Sequence, residues 1–103
     1  MREPTFLILV ALADADRHGY GIIREVEELS SGRIRLGPGT LYGALDRLSD
    51  QGLVKTTRTE VLNGRLRRYY AISDAGLAAV REEAARRSQV LTAAEARLRL
   101  ALP

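Results

Sequence analysis

The chain has 103 residues, 46% apolar and 28% charged, with a formal net charge of +3. That size and mixture fit one compact domain with a small core, and they exclude long disorder as the dominant state. With no cysteine and a single histidine, His18, a disulfide framework, thiolate catalysis, a cysteine-built zinc or iron–sulfur site and a multi-histidine metal site are all excluded. No apolar run approaches the roughly 20 residues that cross a bilayer, and no signal-peptide pattern opens the sequence, so a cytoplasmic protein with no membrane partner is expected.

The predicted elements begin with a helix over 4–13. Pro4 suits its first turn, and Phe6, Leu9, Val10 and Leu12 or Ala13 recur at helical spacing in an almost wholly apolar stretch. Turn formers over 14–19 end it. A second helix over 19–30 carries Ile22, Val26 and Leu29 at i, i+4 and i+7 beside Ile23, and Ser30-Ser31-Gly32 stops it. Residues 33–36 alternate as a short extended link.

Gly37-Pro38-Gly39-Thr40 introduces a third helix over 38–50, with Leu41, Leu45 and Leu48 on one stripe and Gly52 as its C-terminal cap. Residues 53–62 are rich in β-branched side chains. Asn63-Gly64 then signals a tight hairpin, because both central positions of a type I′ turn need positive φ. Residues 65–72 return as its second strand. Ser73-Asp74 caps a fourth helix that runs to near the end of the chain. Its seam comprises Leu77, Val80, Ala84, Leu91, Ala94, Leu98 and Ala101.

Charge is distributed unevenly along this order. Residues 1–32 carry −3, residues 33–72 carry +5 and residues 73–103 carry +1. A basic patch on a small domain points to a polyanionic partner. Three helices, a basic hairpin and a long helix make a mainly α chain with a small β-hairpin, which is the winged helix-turn-helix plan. Residues 1–72 would form the DNA-binding unit and residues 73–103 a C-terminal dimerisation helix. The major groove of DNA is wide enough to admit the third helix, and the hairpin tip can reach the backbone or an adjacent groove.

The residues that stand in this order resemble the PadR-like transcriptional regulators. They are His18-Gly19-Tyr20-Gly21-Ile22, Gly37-Pro38-Gly39-Thr40-Leu41-Tyr42, Leu45-x-Arg47-Leu48, Gly52-Leu53-Val54, Gly64-Arg65-x-Arg67-Arg68-x-Tyr70 and Ile72-Ser73-x-x-Gly76. The resemblance covers about 4–80. Each piece is weak alone, and their joint order is specific. It implies a repressor of the compact subfamily with a single dimerisation helix, and a role for His18 and Tyr20 in backbone contact or in packing against the hairpin. One departure is Gly43, which stands where the family often has proline after the Leu-Tyr pair. Glycine weakens a helix interior by about 1 kcal/mol relative to alanine, and it also lets the backbone approach DNA closely.

Thr40, Tyr42, Gly43 and Arg47 lie off the leucine stripe and form the expected groove-facing set, with Pro38 and Gly39 at the helix N-terminus, where backbone N–H groups can meet phosphate. Arg47 has an alternative use in an ion pair with Asp46, Asp50 or a glutamate of the second helix. At the hairpin tip, Asn63 and Gly64 make the turn. Arg65 and Arg67 share a face with Tyr69 and are assigned to phosphate, whereas Arg68 shares the opposite face with Leu66, Tyr70 and Ile72 and is assigned a structural role. His18 near Asp14 and Asp16 reads as a capping side chain on a polar turn rather than as a metal cluster.

The fourth helix is longer than three short helices can cover. Its distal seam, Ala84, Leu91, Ala94 and Leu98, is therefore expected to pair with a second copy, together with Phe6 and Val10 of the first helix. Such a dimer would set two recognition helices about one DNA turn apart, roughly 34 Å, and would require a palindromic operator. The alternative is a dimeric scaffold whose basic face binds an acidic protein. An enzyme is not expected, since no nucleophile–base pair or phosphate-cradling loop is present. No cofactor is implied. The sequence does not identify an effector: it has five aromatic residues and no tryptophan, so a flat aromatic drug pocket is not indicated.

Overall fold

The structure is a computed structural model that describes residues 1–101. The last two residues of the expected C-terminal segment, 102–103, lie outside the described residues. In chain order the elements are α1 (Glu3–Leu12), β1 (Arg17–His18), α2 (Gly19–Leu29), α3 (Pro38–Asp50), β2 (Val54–Leu62), β3 (Arg65–Ile72) and α4 (Asp74–Ala101). The three strands form one antiparallel sheet in the order β1-β3-β2. This is the winged helix-turn-helix plan expected from the order of elements, with β2 and β3 as the wing.

Local chemistry explains most boundaries. Pro38 occupies the first turn of α3, where its missing N–H is not needed. At the other end the Gly52 N–H donates to Ser49 and the Leu53 N–H to Leu48 (2.9 Å), with Gly52 at φ +74°. That double bond closes the helix in the left-handed conformation glycine adopts without strain. Asn63 (φ +52°) and Gly64 (φ +74°) make the hairpin turn, as a two-residue loop with both φ positive requires. The Ser73 hydroxyl caps α4 by accepting from the Gly76 N–H (3.0 Å) and donates to the Gly52 carbonyl (2.6 Å), so one side chain joins the end of α3 to the start of α4.

The core is built from Ile8, Leu9, Ala11 and Leu12 of α1, Ile22 and Val26 of α2, Leu41, Ala44, Leu45 and Leu48 of α3, and Val54 and Tyr70 of the sheet. Burying a side chain of the size of Ile22 or Leu41 contributes about 1.5–3 kcal/mol, so these positions hold the three helices on the wing.

Two sequence expectations are corrected. First, 14–19 is more than a turn, because Arg17–His18 adds a short strand to the edge of β3. Pairing to a strand more than fifty residues away leaves no local signal. Second, Leu29 belongs to the apolar stripe of α2 but is exposed, and the neighbouring Ser30 is buried. The Ser30 hydroxyl donates to the Glu27 carbonyl and accepts from the Ile34 N–H, so the chain turns inward one residue later than periodicity implies. Along α1, Ile8, Leu9, Ala11 and Leu12 face the core, while Phe6 and Val10, expected at the dimer seam, are partly buried in the single chain. In a stretch this apolar, composition does not say which side faces inward. The link over 33–36 carries neither helix nor strand.

α4 spans 28 residues, or about 42 Å at 1.5 Å per residue. Only its first half packs on the rest of the chain, which draws the molecule out to 61 Å in its longest dimension. Near the middle of α4, Glu83 is buried and receives hydrogen bonds from Arg86 (2.7 Å) and Arg87 (2.9 Å). Arg87 also donates to the Met1 carbonyl and lays its guanidinium 4.6 Å from the Phe6 ring centroid. The expected seam therefore has a charged latch to α1 at this level.

Candidate nucleic-acid interface

Three elements converge on one cleft: the start of α2, Tyr42 in the N-terminal half of α3 and the tip of the wing. Its volume is about 450 Å³, and His18, Gly19, Tyr20, Tyr42, Leu62, Asn63, Arg65, Leu66, Arg67 and Arg68 line it. Six residues singled out from the sequence thus meet in space: His18, Tyr20, Tyr42, Asn63, Arg65 and Arg67. The cleft is basic, with three arginines beside two tyrosines and a histidine, as a surface that receives a sugar–phosphate strand would be.

The helix faces divide as the leucine stripe requires. Leu41, Ala44, Leu45 and Leu48 are buried, while Pro38, Gly39, Thr40, Tyr42 and Arg47 are exposed and Gly43 is half-buried. Among the described residues Arg47 makes none of the ion pairs that its alternative use requires. Its guanidinium lies along the Gly43 edge of α3, at 3.6 Å from where a Cβ on Gly43 would be. It also borders a second, smaller hollow with Thr5, Ala44, Leu48 and Gln51. Arg47 and the main cleft are therefore separate parts of the same exposed face. Gly64 shapes the tip, and it is Asn63, not Gly64, that lines the cleft.

His18 is held from two sides. Its Nδ1 accepts from the Gly21 N–H (3.2 Å), which caps α2. Its ring meets the Tyr69 ring edge-on, with centroids 5.4 Å apart and planes at 89°. Burial holds the imidazole pKa below its ordinary value, and the nearby positive charges of Arg67 and Arg24 push it the same way, while Glu60 acts in the opposite direction. Tyr69 is itself fixed: its hydroxyl donates to Glu60 (2.8 Å), and the Arg58 guanidinium lies 4.1 Å from its ring centroid.

Sequence reasoning missed Gly19, Leu62 and Leu66 as parts of the cleft, and it missed Arg58, Glu60 and Tyr69 as the support behind His18. Arg68, assigned to the opposite face of the strand, also lines the cleft. On the facing strand β2 the register slips between Thr56 and Arg58, leaving Thr57 as an unpaired extra residue. Such a bulge increases the local twist and re-aims the side chains beyond it. A signal for Leu62 and Leu66 did exist, since two apolar residues flanking a tight surface turn have no core to enter.

Among the described residues no group of three metal-ligating side chains converges, and no helix is long and apolar enough to cross a membrane.

Comparison with known proteins gives a consistent result. The model of the transcriptional regulator PadR-like family matches residues 8–82. The chain is 41% identical over 76 residues to the transcriptional regulator Rv3488 of Mycobacterium tuberculosis, covering 74% of this chain and 67% of that one. It is 49% identical over 53 residues to a 37.1 kDa protein of a Streptomyces fradiae transposon, and there the match spans 52% of this chain and 15% of the larger protein. Among solved structures, a PadR family transcription regulator of Clostridium difficile superposes with a TM-score of 0.79 at 24% identity, covering 94% of this chain and 99% of that one. The PadR of Bacillus subtilis, solved in complex with operator DNA, superposes with a TM-score of 0.69 at 22% identity, covering 79% of this chain and 47% of that one. These two likenesses are of fold.

Proposed function

Since the chain belongs to the PadR-like family of transcriptional regulators, we propose that it is a repressor that binds a palindromic operator as a homodimer. The third helix enters the major groove, presenting Thr40, Tyr42, Gly43 and Arg47. Its first turn, Pro38 and Gly39, meets the backbone. The wing, with Asn63, Gly64, Arg65 and Arg67, lies on the adjacent backbone or minor groove, and His18 and Tyr20 close the cleft from the other side.

The observation that carries this reading is the convergence of the arginine wing, Tyr42 and the start of α2 around one basic cleft beside the exposed face of α3. A scaffold for an acidic protein would need neither a helix free along one face nor a wing aimed beside it.

The exposed distal half of α4 supports the dimer. Val90, Leu91 and Leu98 are 60–70% exposed on its distal half, and Ala84 and Ala94 lie exposed with them. Phe6 and Val10 leave part of α1 uncovered. A second copy related by a two-fold axis would cover both surfaces and would link the two DNA-reading heads. Residues 1–72 then act as the DNA-reading head and 73–103 as the dimerisation helix. A small-molecule effector would act only through different affinities for two dimer shapes.

The test is binding to a fluorescent DNA fragment from upstream of the protein's own gene, titrated at several salt concentrations, with unrelated DNA as control. Affinity at least about a thousandfold above the control supports specific recognition. Binding to neither DNA, with capture of an acidic protein instead, would replace this reading by the scaffold.

A further inference from the structure

The wall of the cleft at His18 offers a hydrogen-bond donor of unusual constancy. The Gly21 N–H donates to Nδ1, so Nδ1 must present a lone pair and the single proton of the neutral ring sits on Nε2. Among the described residues Nε2 has no hydrogen-bond partner, yet no buried side-chain nitrogen or oxygen is left unsatisfied. Nε2 is therefore open to solvent at the cleft that His18 lines. A Cβ on Gly21 would rest in ordinary contact with this edge, 3.7 Å from Cε1 and 3.8 Å from Nε2. The edge-on contact with Tyr69, itself held by Glu60 and Arg58, keeps the ring from turning away.

We propose that His18 grips the DNA backbone as an uncharged donor, locked by the first turn of α2 into the Nε2–H tautomer, and so adds affinity without releasing a counterion. This deepens the DNA-binding reading above and rests on it.

Protonation would place a second N–H at Nδ1, pointing at the Gly21 N–H, and would cost α2 its cap. The charged and titratable groups around the ring are Arg24 on α2, Arg67 and Tyr69 on β3 and Glu60 on β2. Both arginines oppose a positive imidazole, and Glu60 alone favours one. An arginine that meets a phosphate displaces a condensed cation, so each such contact steepens the dependence of log K on log salt by about 0.9. A neutral donor meeting the same phosphate adds affinity and leaves the slope unchanged.

The experiment compares the wild type with His18→Asn and Arg65→Gln, titrating a fluorescent random-sequence duplex over a range of salt. Asparagine keeps a capping oxygen for the Gly21 N–H, but its side chain is too short to carry a donor into the cleft. His18→Asn is expected to weaken binding about threefold to tenfold with an unchanged slope, whereas Arg65→Gln lowers the slope by about 0.9. A reduced slope for His18→Asn would show His18 binding as a cation and overturn the proposal. An unchanged affinity for His18→Asn beside a reduced slope for Arg65→Gln would make His18 a purely structural cap and leave the DNA reading intact. Failure of the wild type to bind the duplex at all would remove that reading, and this inference with it. Nitrogen NMR of the imidazole in the free wild-type protein gives a check that depends on no variant: a proton on Nε2 is expected, and one on Nδ1 in the neutral ring would refute the proposal.

Discussion

The phenol of Tyr42 rests on Gly19 so closely that a Cβ built on Gly19 would overlap the Tyr42 hydroxyl. The N-terminal half of α3 is thereby docked on the first turn of α2 through the Tyr42 ring, which is 44% exposed and lines the cleft. Gly19→Ala should push the ring outward. Because the obstacle is the far end of a side chain, the fold should survive with a loss of about 1 kcal/mol, while affinity for DNA falls severalfold. Thermal unfolding and fluorescence titration check the two halves, and unchanged affinity would remove Tyr42 from the interface.

Gly76 presents the opposite case. Alanine in place of glycine within a helix ordinarily stabilises by up to about 1 kcal/mol. Here a Cβ would meet the Leu53 carbonyl oxygen and the Ile72 side chain, and backbone cannot swing aside. Gly76→Ala should therefore destabilise by about 1–3 kcal/mol, the usual cost of overpacking. Urea denaturation reads this directly, and a stabilised variant would mean that α4 does not press on the β2 entry as described.

The latch at Glu83 makes an acid-dependent contribution. The hydrogen bond from Arg86, followed by that from Arg87, holds the carboxyl below the usual carboxylate range, although burial works in the opposite direction. A group with a depressed folded-state pKa adds stability above its unfolded value and loses it as the pH falls through its folded value. Stability should thus decline on acidification below the ordinary carboxylate pKa, and Glu83→Gln should flatten that decline while lowering stability at neutral pH. Denaturation series of both proteins across the acid range test it, and parallel curves would contradict it.

His18 titrates with the same sign but in a higher window. Its imidazole pKa is held down, chiefly by burial, so the unfolded chain takes up the proton first. Stability should fall as pH drops from roughly 6.5, the ordinary value, towards the lower folded-state value. His18→Asn should abolish that step and leave the acid step of Glu83 in place. A step that survives the substitution would have to be assigned elsewhere.

The distal half of α4 gives the test of assembly. Leu91→Glu and Leu98→Glu place charge on positions 60% and 64% exposed in the single chain, where a substitution should leave the head folded. Sedimentation should show a dimer for the wild type and a monomer for the double variant, with DNA affinity reduced because two heads no longer bind as one unit. A double variant that remains dimeric would put the interface on another surface.

The sequence by itself determined the parts governed by neighbours in the chain. The bounds of α3 and β3, the left-handed Asn63 and Gly64 and the Ser73 cap follow from proline, glycine and hydroxyl chemistry acting over three or four residues, and they stand where local rules put them. The family pattern lay along the same segments. Tertiary structure alone decided what depends on residues far apart. The pairing of Arg17–His18 with β3, the exposure of Leu29, the closure of His18, Tyr42 and the wing into one cleft, and the presence of Arg68 there are such cases. So is the burial of Glu83, a charge met by two arginines and by the Met1 ammonium. Periodicity records which face of a helix is apolar. It does not record which face another element will cover, because that depends on long-range packing and on the twist of the sheet.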